Sequence, residues 1–316
     1  MTAAHFRNAL PMKSMLQEYR IEQVLGAGGF GITYLARDTN LDKDVAIKEY
    51  LPGELAMRAP DGNVVAQGTS HEAGYKWGLD RFLLEARTLA KFSHPHIVRV
   101  LRYFEAHATA YMVMDYEKGD PLKTALQLDP QPPEEKLKAM LAPLLDGLAA
   151  VHAVGFLHRD IKPDNIFIRA NGTPVLIDFG AARQTLSADA LKLPPMYTPG
   201  FASPEHHQGR DKLGPWSDIY SIGASMYACL AGAGPPVATQ RVEKDKMTSA
   251  RKGWAGKYSV DLLDTIDWCL RLDHLERPQS VFALQKALLG EKEPGFRGEA
   301  PILDQWKDAI LRRVKR

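Results

Sequence analysis

At 316 residues, with a formal net charge of +2 and 25% charged residues, the chain is long enough to bury a substantial core in one large domain or two lobes. That charge balance does not argue for a nucleic-acid partner or a membrane surface, and no apolar run approaches the roughly 18 residues of a membrane span or follows a signal-peptide pattern. The two cysteines, Cys229 and Cys269, sit in apolar helical contexts, which argues against a disulfide framework or a thiolate zinc site and for a reducing, cytoplasmic setting.

Short β-rich runs come first: YRIEQVL, ITYLARD, DVAIKEY, IVRVLRYFEA and AYMVMDY. Between them, LAMRAPDGNVVAQG carries a hairpin signal at Asp61-Gly62. A single helix follows, TSHEAGYKWGLDRFLLEARTLAKF, which the spacing predicts to open on a Thr69 to Glu72 capping box. Leu79, Phe82, Leu83, Ala86, Leu89 and Ala90 form its expected apolar face. Near Lys118 and Gly119 the character changes, and PPEEKLKAMLAPLLDGLAAVHAVG, WSDIYSIGASMYACLAG and SVFALQKALLG read as helices. The expectation is an α+β chain with no internal repeat: a small β-rich lobe with one helix, then a larger helical lobe, with a ligand cleft between them.

Three stretches carry chemistry. LGAGGFGITYLA sets Gly26, Gly28 and Gly31 between two strands, where absent side chains let backbone N–H groups approach phosphate oxygens. A dinucleotide-binding unit would need a helix directly after those glycines, and a β-rich run stands there instead. Lys48 ends VAIK, a cation on a strand read as apolar on both faces, where it needs a partner. FLHRDIKPDNIFI then gathers Asp160, Lys162 and Asn165 between apolar runs.

These residues resemble the eukaryotic-type, or Hanks-type, serine/threonine protein kinase family, whose catalytic loop reads H-R-D-x-K-x-x-N and is followed by D-F-G. The chain has His158, Arg159, Asp160, Lys162 and Asn165, then Asp178, Phe179 and Gly180, with the glycine loop and VAIK upstream and ASPE at 202–205 downstream. The resemblance covers roughly residues 19–290 and implies the bilobal kinase fold, with an N-lobe over 19–117, a C-lobe over 118–290 and an insertion at about 50–70. Residues 1–18 then read as an N-terminal extension and 291–316 as a linker with a basic amphipathic helix. The insertion and GFGITYLA give the chain a bacterial look.

What the family does then assigns roles. ATP with Mg²⁺, or Mn²⁺ in its place, is the implied cofactor set. Phosphoryl transfer asks a protein chiefly for positioning and charge neutralisation. Asp160 would orient the substrate hydroxyl and accept its proton, with Lys162 near the γ-phosphate and Asn165 and Asp178 on the metal. Lys48 would hold the α- and β-phosphates, kept in place by Glu85 of the lone helix, whose alternative is an exposed pair with Arg81. Gly26, Gly28, Gly31 and Thr33 would line the phosphates. Met114 reads as the gatekeeper, Asp115 to Glu117 as the backbone contact to adenine, and Ala46 and Phe167 as the two sides of the adenine slot. Glu205 and Arg277 read as a buried ion pair, and Asp218 as a support of the catalytic loop.

Lys162 and Thr198 match the serine/threonine pattern, and the segment between Asp178 and Glu205 argues for protein substrates, so autophosphorylation is also expected. A catalytically silent, pseudokinase-like nucleotide-binding scaffold is the alternative, and none of Lys48, Asp160, Asn165 or Asp178 is missing. Three features depart from the family pattern. Glu85 lies 37 positions past Lys48, longer than the usual connection, and the insertion either biases the helix or is a tolerated surface loop. Arg159 marks the type switched by activation-loop phosphorylation, with Phe179 beside the metal aspartate, yet Pro194 stands at the usual acceptor position, leaving Thr185 and Ser187 as acceptors or packing around Pro194 and Pro195 as the ordering device. Finally, ILDQWKDAILRRVKR, with Ile302, Leu303, Trp306, Ile310 and Val314 on one side, would dock on its own domain, on a partner, or peripherally on an anionic membrane.

Overall fold

The structure, a computed structural model, describes residues 8–179, 198–208 and 212–289. Thr185, Ser187, Pro194, Pro195, the linker and the C-terminal amphipathic segment lie outside the described residues. The fold is α+β, and the described residues form two units that part at Gly119 and Asp120, with Phe179 belonging to the first.

In the first unit the chain order is β1 (Met15–Leu16), β2 (Tyr19–Gly28), β3 (Gly31–Asp38), β4 (Lys43–Tyr50), β5 (Ala56–Arg58), β6 (Val64–Ala66), α1 (Thr69–Leu89), β7 (Val100–Ala106) and β8 (Thr109–Asp115). Six strands make one antiparallel sheet in the order β1-β2-β3-β4-β8-β7. Residues 15 and 16, expected in an N-terminal extension, are therefore part of the sheet. Strand β3 shows why the sheet forms: Ile32, Tyr34 and Ala36 alternate into the core while Thr33, Leu35 and Arg37 look the other way. The predicted hairpin closes β5 on β6, with Gly62 at φ +88°, a conformation that favours glycine.

Two expectations for α1 change. Thr69 is the first helical residue and Gly68, at φ +154°, is the N-cap, without a side-chain cap bond. Glycine alone takes that backbone angle readily, so the chain enters the helix one residue earlier and the capping box does not form. The buried face is Gly74, Tyr75, Gly78, Phe82, Glu85, Ala86 and Leu89, while Leu79 and Leu83 are half-buried and Ala90 is exposed. The seam is rotated because Tyr75 and Phe82 pack on Tyr50 of β4, with ring centroids 5.5 and 5.7 Å apart.

The second unit follows with β9 (Gly119–Pro121), α2 (Leu122–Leu128), α3 (Glu134–Ala153), β10 (Ile166–Arg169), β11 (Pro174–Leu176), α4 (Pro215–Ala231), α5 (Ala238–Glu243), α6 (Ala250–Gly253), α7 (Val260–Cys269) and α8 (Val281–Leu288). Its centre is α4, buried continuously from Ser217 to Leu230 and stopped by Gly232 at φ +76°. The apolar face of α7, including Leu263 and Ile266, packs against it, while α3, with Leu144 and Leu148 buried, packs on α8 and β11. Ser259 and Ser280 cap α7 and α8 by accepting from the Leu262 and Ala283 N–H groups. A small sheet, β11-β10-β9, flanks the loop between α3 and β10. Among the described residues no helix is long and apolar enough to cross a membrane.

Candidate active site

Within the first unit, strand registry gathers one group of candidate residues. Thr33 stands opposite Lys48 and Leu35 opposite Ala46, while across the next ladder Ala46 faces Met114 and Lys48 faces Met112. Residues directly opposite share a sheet face, so Thr33, Ala46, Lys48 and Met114 line one side of the sheet. Tyr50 alternates onto that side and carries α1, which sets the buried Glu85, 2% exposed, on the same side. An exposed Glu85 paired with Arg81 is ruled out by that burial. Strand β4 is also not apolar on both faces: Glu49, the neighbour of Lys48, points to the opposite face and is fully buried.

The three glycines answer to different needs. A Cβ on Gly31 would stand 1.9 Å from the Glu49 carbonyl oxygen, so this glycine lets β3 lie close to β4. A Cβ on Gly26 or Gly28 would meet nothing within 4 Å. The turn between them is tied down where the Leu51 N–H donates to the Phe30 carbonyl and the Gly53 N–H to the Gly29 carbonyl, at 3.1 and 3.2 Å. A smooth backbone bordered by open space fits the phosphates of a nucleotide. At the end of β8, the Asp115 N–H is used by the Arg99 carbonyl at 3.0 Å and the Asp115 carboxylate by Lys43 at 2.5 Å. Glu117 follows, half-buried.

Within the second unit, a separate group is built by the loop between α3 and β10. Asp218, fully buried at the start of α4, accepts the His158 N–H at 2.8 Å, the Arg159 N–H at 2.7 Å and a bond from His152 Nε2 at 2.8 Å. Burial alone would raise its carboxyl, but His152 and the Arg159 N–H outweigh it and hold the carboxyl below the usual range. Burial pushes His158 down, so the imidazole is neutral: Nδ1 accepts the Asp160 N–H at 3.3 Å and Nε2 donates to the Ile177 carbonyl at 3.2 Å. Arg159 sits at φ +68° and Asp178 at φ +56°. Such angles in non-glycine residues are costly and persist where surrounding bonds enforce them, as at functional sites.

On this frame Asp160 presents a carboxylate with three side-chain donors. Its Oδ2 accepts from Asn165 Nδ2 at 2.7 Å, and its Oδ1 accepts from Lys162 Nζ at 3.3 Å and from Thr198 Oγ1 at 3.2 Å. Lys162 Nζ also donates to Thr198 Oγ1 at 2.8 Å. The Asn165 amino group donates further to the Asp160 carbonyl at 2.7 Å and the Asp178 carbonyl at 3.4 Å, which leaves the amide oxygen as the end available to a cation. Two oxygen donors, one from Asn165 and one from Asp178, suit Mg²⁺, a hard ion that takes few protein ligands and completes its shell with phosphates and water. No group of three or more His, Cys, Asp or Glu that could hold a metal ion occurs among the described residues. Phe167 is half-buried on β10 opposite Val175, and Phe179 is buried.

Glu205 and Arg277 form the expected buried pair, with Arg277 Nη1 and Nη2 donating at 2.7 and 3.0 Å. Neither His152 nor Glu49 belongs to a motif that the sequence singles out. His152 could have been found from its place in the last turn of α3, six residues before His158. Glu49 had a signal too, a carboxylate inside an apolar strand, but its partners are remote in sequence.

With this geometry in hand, comparison with known proteins is specific. The family described as protein kinase domain matches residues 19–289. The serine/threonine-protein kinase pkn2 of Myxococcus xanthus is 33% identical over 284 residues, 85% of this chain and 32% of that protein. Serine/threonine-protein kinase C of a Synechocystis species is 31% identical over 310 residues, 92% of this chain and 53% of that protein. The chain thus spans about a third to a half of the length of these relatives. Among solved structures, the apo form of PpkA-294 is 37% identical with a TM-score of 0.82, covering 89% of this chain and 99% of that one. The PknI kinase domain of Mycobacterium tuberculosis, at 20% identity and a TM-score of 0.65 over 90% of this chain and 99% of that one, shares the fold.

Proposed function

The chain belongs to the Hanks-type serine/threonine protein kinase family, and we propose that it transfers the γ-phosphate of ATP to serine and threonine hydroxyls of proteins, itself included. The observation that carries this reading is the Asp160 carboxylate, held by Asn165, Lys162 and Thr198 at 2.7 to 3.3 Å. Asp160 Oδ1 would accept the substrate hydroxyl's proton as the oxygen attacks phosphorus. Lys162 Nζ, shared between Asp160 and Thr198, would neutralise charge on the equatorial oxygens as the bond to the β-phosphate oxygen breaks. Asn165 and Asp178 would hold Mg²⁺, which would supply charge neutralisation for the phosphates, and Mn²⁺ has the same ligand preference.

Lys48 would pair the α- and β-phosphates and Glu85 would orient it. Thr33 sits opposite Lys48 in the ladder, beside the open space at Gly26 and Gly28. Ala46, Met114 and Phe167 would enclose the adenine. Asp115, its N–H already used, would offer a carbonyl to the base and Glu117 its main chain. Arg159, Phe179, Thr185 and Ser187 are the proposed regulatory residues, through loop ordering or autophosphorylation. The buried free thiols of Cys229 and Cys269, each pushed up to about 12 by burial, fit a reducing cytoplasmic setting.

The test is incorporation of labelled phosphate from ATP with Mg²⁺ into the protein and into a generic basic protein, with Asp160→Ala as control. Incorporation by the wild type alone, on serine and threonine, supports the reading. Nucleotide binding without any incorporation would replace it with a silent scaffold.

A further inference from the structure

The sheet face opposite Lys48 carries a charged cluster that phosphoryl transfer does not use. Glu49, 0% exposed, accepts from Arg58 Nη2 at 2.5 Å, Tyr34 Oη at 2.7 Å and Tyr111 Oη at 2.6 Å. Burial first, and then the charge of Glu49, pushes both phenols above their ordinary range, so both stay protonated and donate. Arg58 ends β5, inside the insertion. Its Nε donates to the Asn8 carbonyl and its Nη1 to the Gly62 carbonyl, each at 2.8 Å. Tyr34 Oη in turn accepts the Leu10 N–H at 3.1 Å. One residue of β4 is therefore bonded at once by β3, by β8 and by the inserted hairpin, and through Tyr34 and Arg58 the cluster reaches the segment before β1.

A second set of contacts joins the hairpin and α1 to a single turn. The Val64 N–H donates to the His107 carbonyl and Tyr75 Oη to the Ala108 carbonyl, each at 2.8 Å. His107 Nδ1 lies 2.9 Å from Tyr111 Oη, which returns the path to Glu49. Three consecutive residues of β4 thus divide the work: Lys48 faces the nucleotide side, Glu49 anchors the opposite face, and Tyr50 supports α1.

We propose that Glu49 and Arg58 are positioning residues: their buried pair clamps the inserted hairpin to the sheet and so fixes β4 and α1, setting Lys48 and Glu85 for nucleotide. This rests on the kinase reading of Lys48. A buried carboxylate is unfavourable without its donors, so the strand holds this register while Arg58 is docked, and a displacement of about 1 Å at a positioning group can cost about a hundredfold in rate. The insertion is then part of the machinery that orients Lys48, rather than a tolerated surface loop.

The test compares Arg58→Met, Arg58→Lys, Tyr34→Phe and Tyr111→Phe with the wild type, well below each variant's unfolding midpoint. Calorimetry gives the Kd for ATP, kinetics give KM and kcat, and amide hydrogen exchange is followed over residues 45–50 and 75–86. The expected result for Arg58→Met is a rise of about tenfold in Kd and KM for ATP, with kcat reduced and exchange faster in both segments. Arg58→Lys should fall between it and the wild type, and each Tyr→Phe should give a smaller rise. If Arg58→Met does not fold, the two phenol variants carry the test. Lower midpoints with Kd, KM and kcat unchanged would overturn the proposal and leave the cluster a stabilising one. Exchange unchanged in both segments overturns it without reference to nucleotide, whereas a wild type that binds no nucleotide would overturn the kinase reading itself.

Discussion

Replacing Glu205 by Gln should convert the buried pair with Arg277 into a stability defect whose size and pH dependence follow from the structure. Glu205 is 2% exposed and receives two bonds from Arg277 and one from Ser217 Oγ at 2.8 Å. Burial alone would raise its carboxyl, but the hydrogen bonds and charge of Arg277 hold it at about 2, against 4.5 for an ordinary glutamate. That gap of about 2.5 pH units, at about 1.36 kcal/mol each, corresponds to about 3 kcal/mol. The unfolded carboxyl binds its proton more readily than the folded one, so this contribution is complete above pH 4.5 and lost as pH falls toward 2. Glu205→Gln leaves Arg277 buried with its charge uncompensated, and a loss of about 3 to 5 kcal/mol at pH 7 is expected. Urea unfolding followed by tryptophan fluorescence at pH 7, 4.5 and 3 measures both effects; Trp216 reports locally, because its carbonyl accepts from Arg277 at 3.2 Å. The double variant Glu205→Gln with Arg277→Met should recover much of the loss. A loss at pH 7 below about 1 kcal/mol, or a variant with the wild-type slope between pH 4.5 and 3, would refute the reasoning.

The glycines should separate: Gly28→Ala is expected to leave the unfolding midpoint unchanged while raising KM for ATP several-fold, whereas Gly31→Ala should cost about 1 to 3 kcal/mol by driving a Cβ into the Glu49 carbonyl. Thr198→Ala should lower kcat by about tenfold to a hundredfold with KM for ATP little changed, and Thr198→Ser, which keeps the hydroxyl between Lys162 and Asp160, should recover most of it. Asn165→Ala should raise the Mg²⁺ concentration for half-maximal activity by about tenfold to a hundredfold, read from initial rates in a magnesium titration. An unchanged titration would remove Asn165 from the proposed metal site.

The catalytic loop was legible in the sequence because its side chains lie within eight positions of one another, and the same locality holds for the glycine turn, for Lys48 and for the Asp61-Gly62 hairpin. That β3 and β4 are strands was equally readable, but the two faces of β4 were not: its apolar neighbours hide that Glu49 is buried on the side opposite Lys48. The start of α1 was not, because Thr69 and Glu72 have the composition of a cap while Gly68 has the backbone freedom to move it. The helix seam departs from the apolar stripe for a related reason: periodicity finds a stripe but not the neighbour it meets, and Tyr50 turns the face toward Tyr75, Phe82 and Glu85.

What the sequence by itself determined is the family and the residue set on which the proposed chemistry rests, since both are written in short motifs confined to one turn or one loop. Only the tertiary structure decided that Glu85 is buried rather than paired on the surface, that Asp218 draws His152, His158 and Arg159 together, and that Glu49 unites Tyr34, Arg58 and Tyr111. The physical reason is that a buried charge takes its meaning from donors brought by other elements, across 59 positions from Arg159 to Asp218 and 62 from Glu49 to Tyr111. Linear spacing carries no record of such encounters, and the fold creates them.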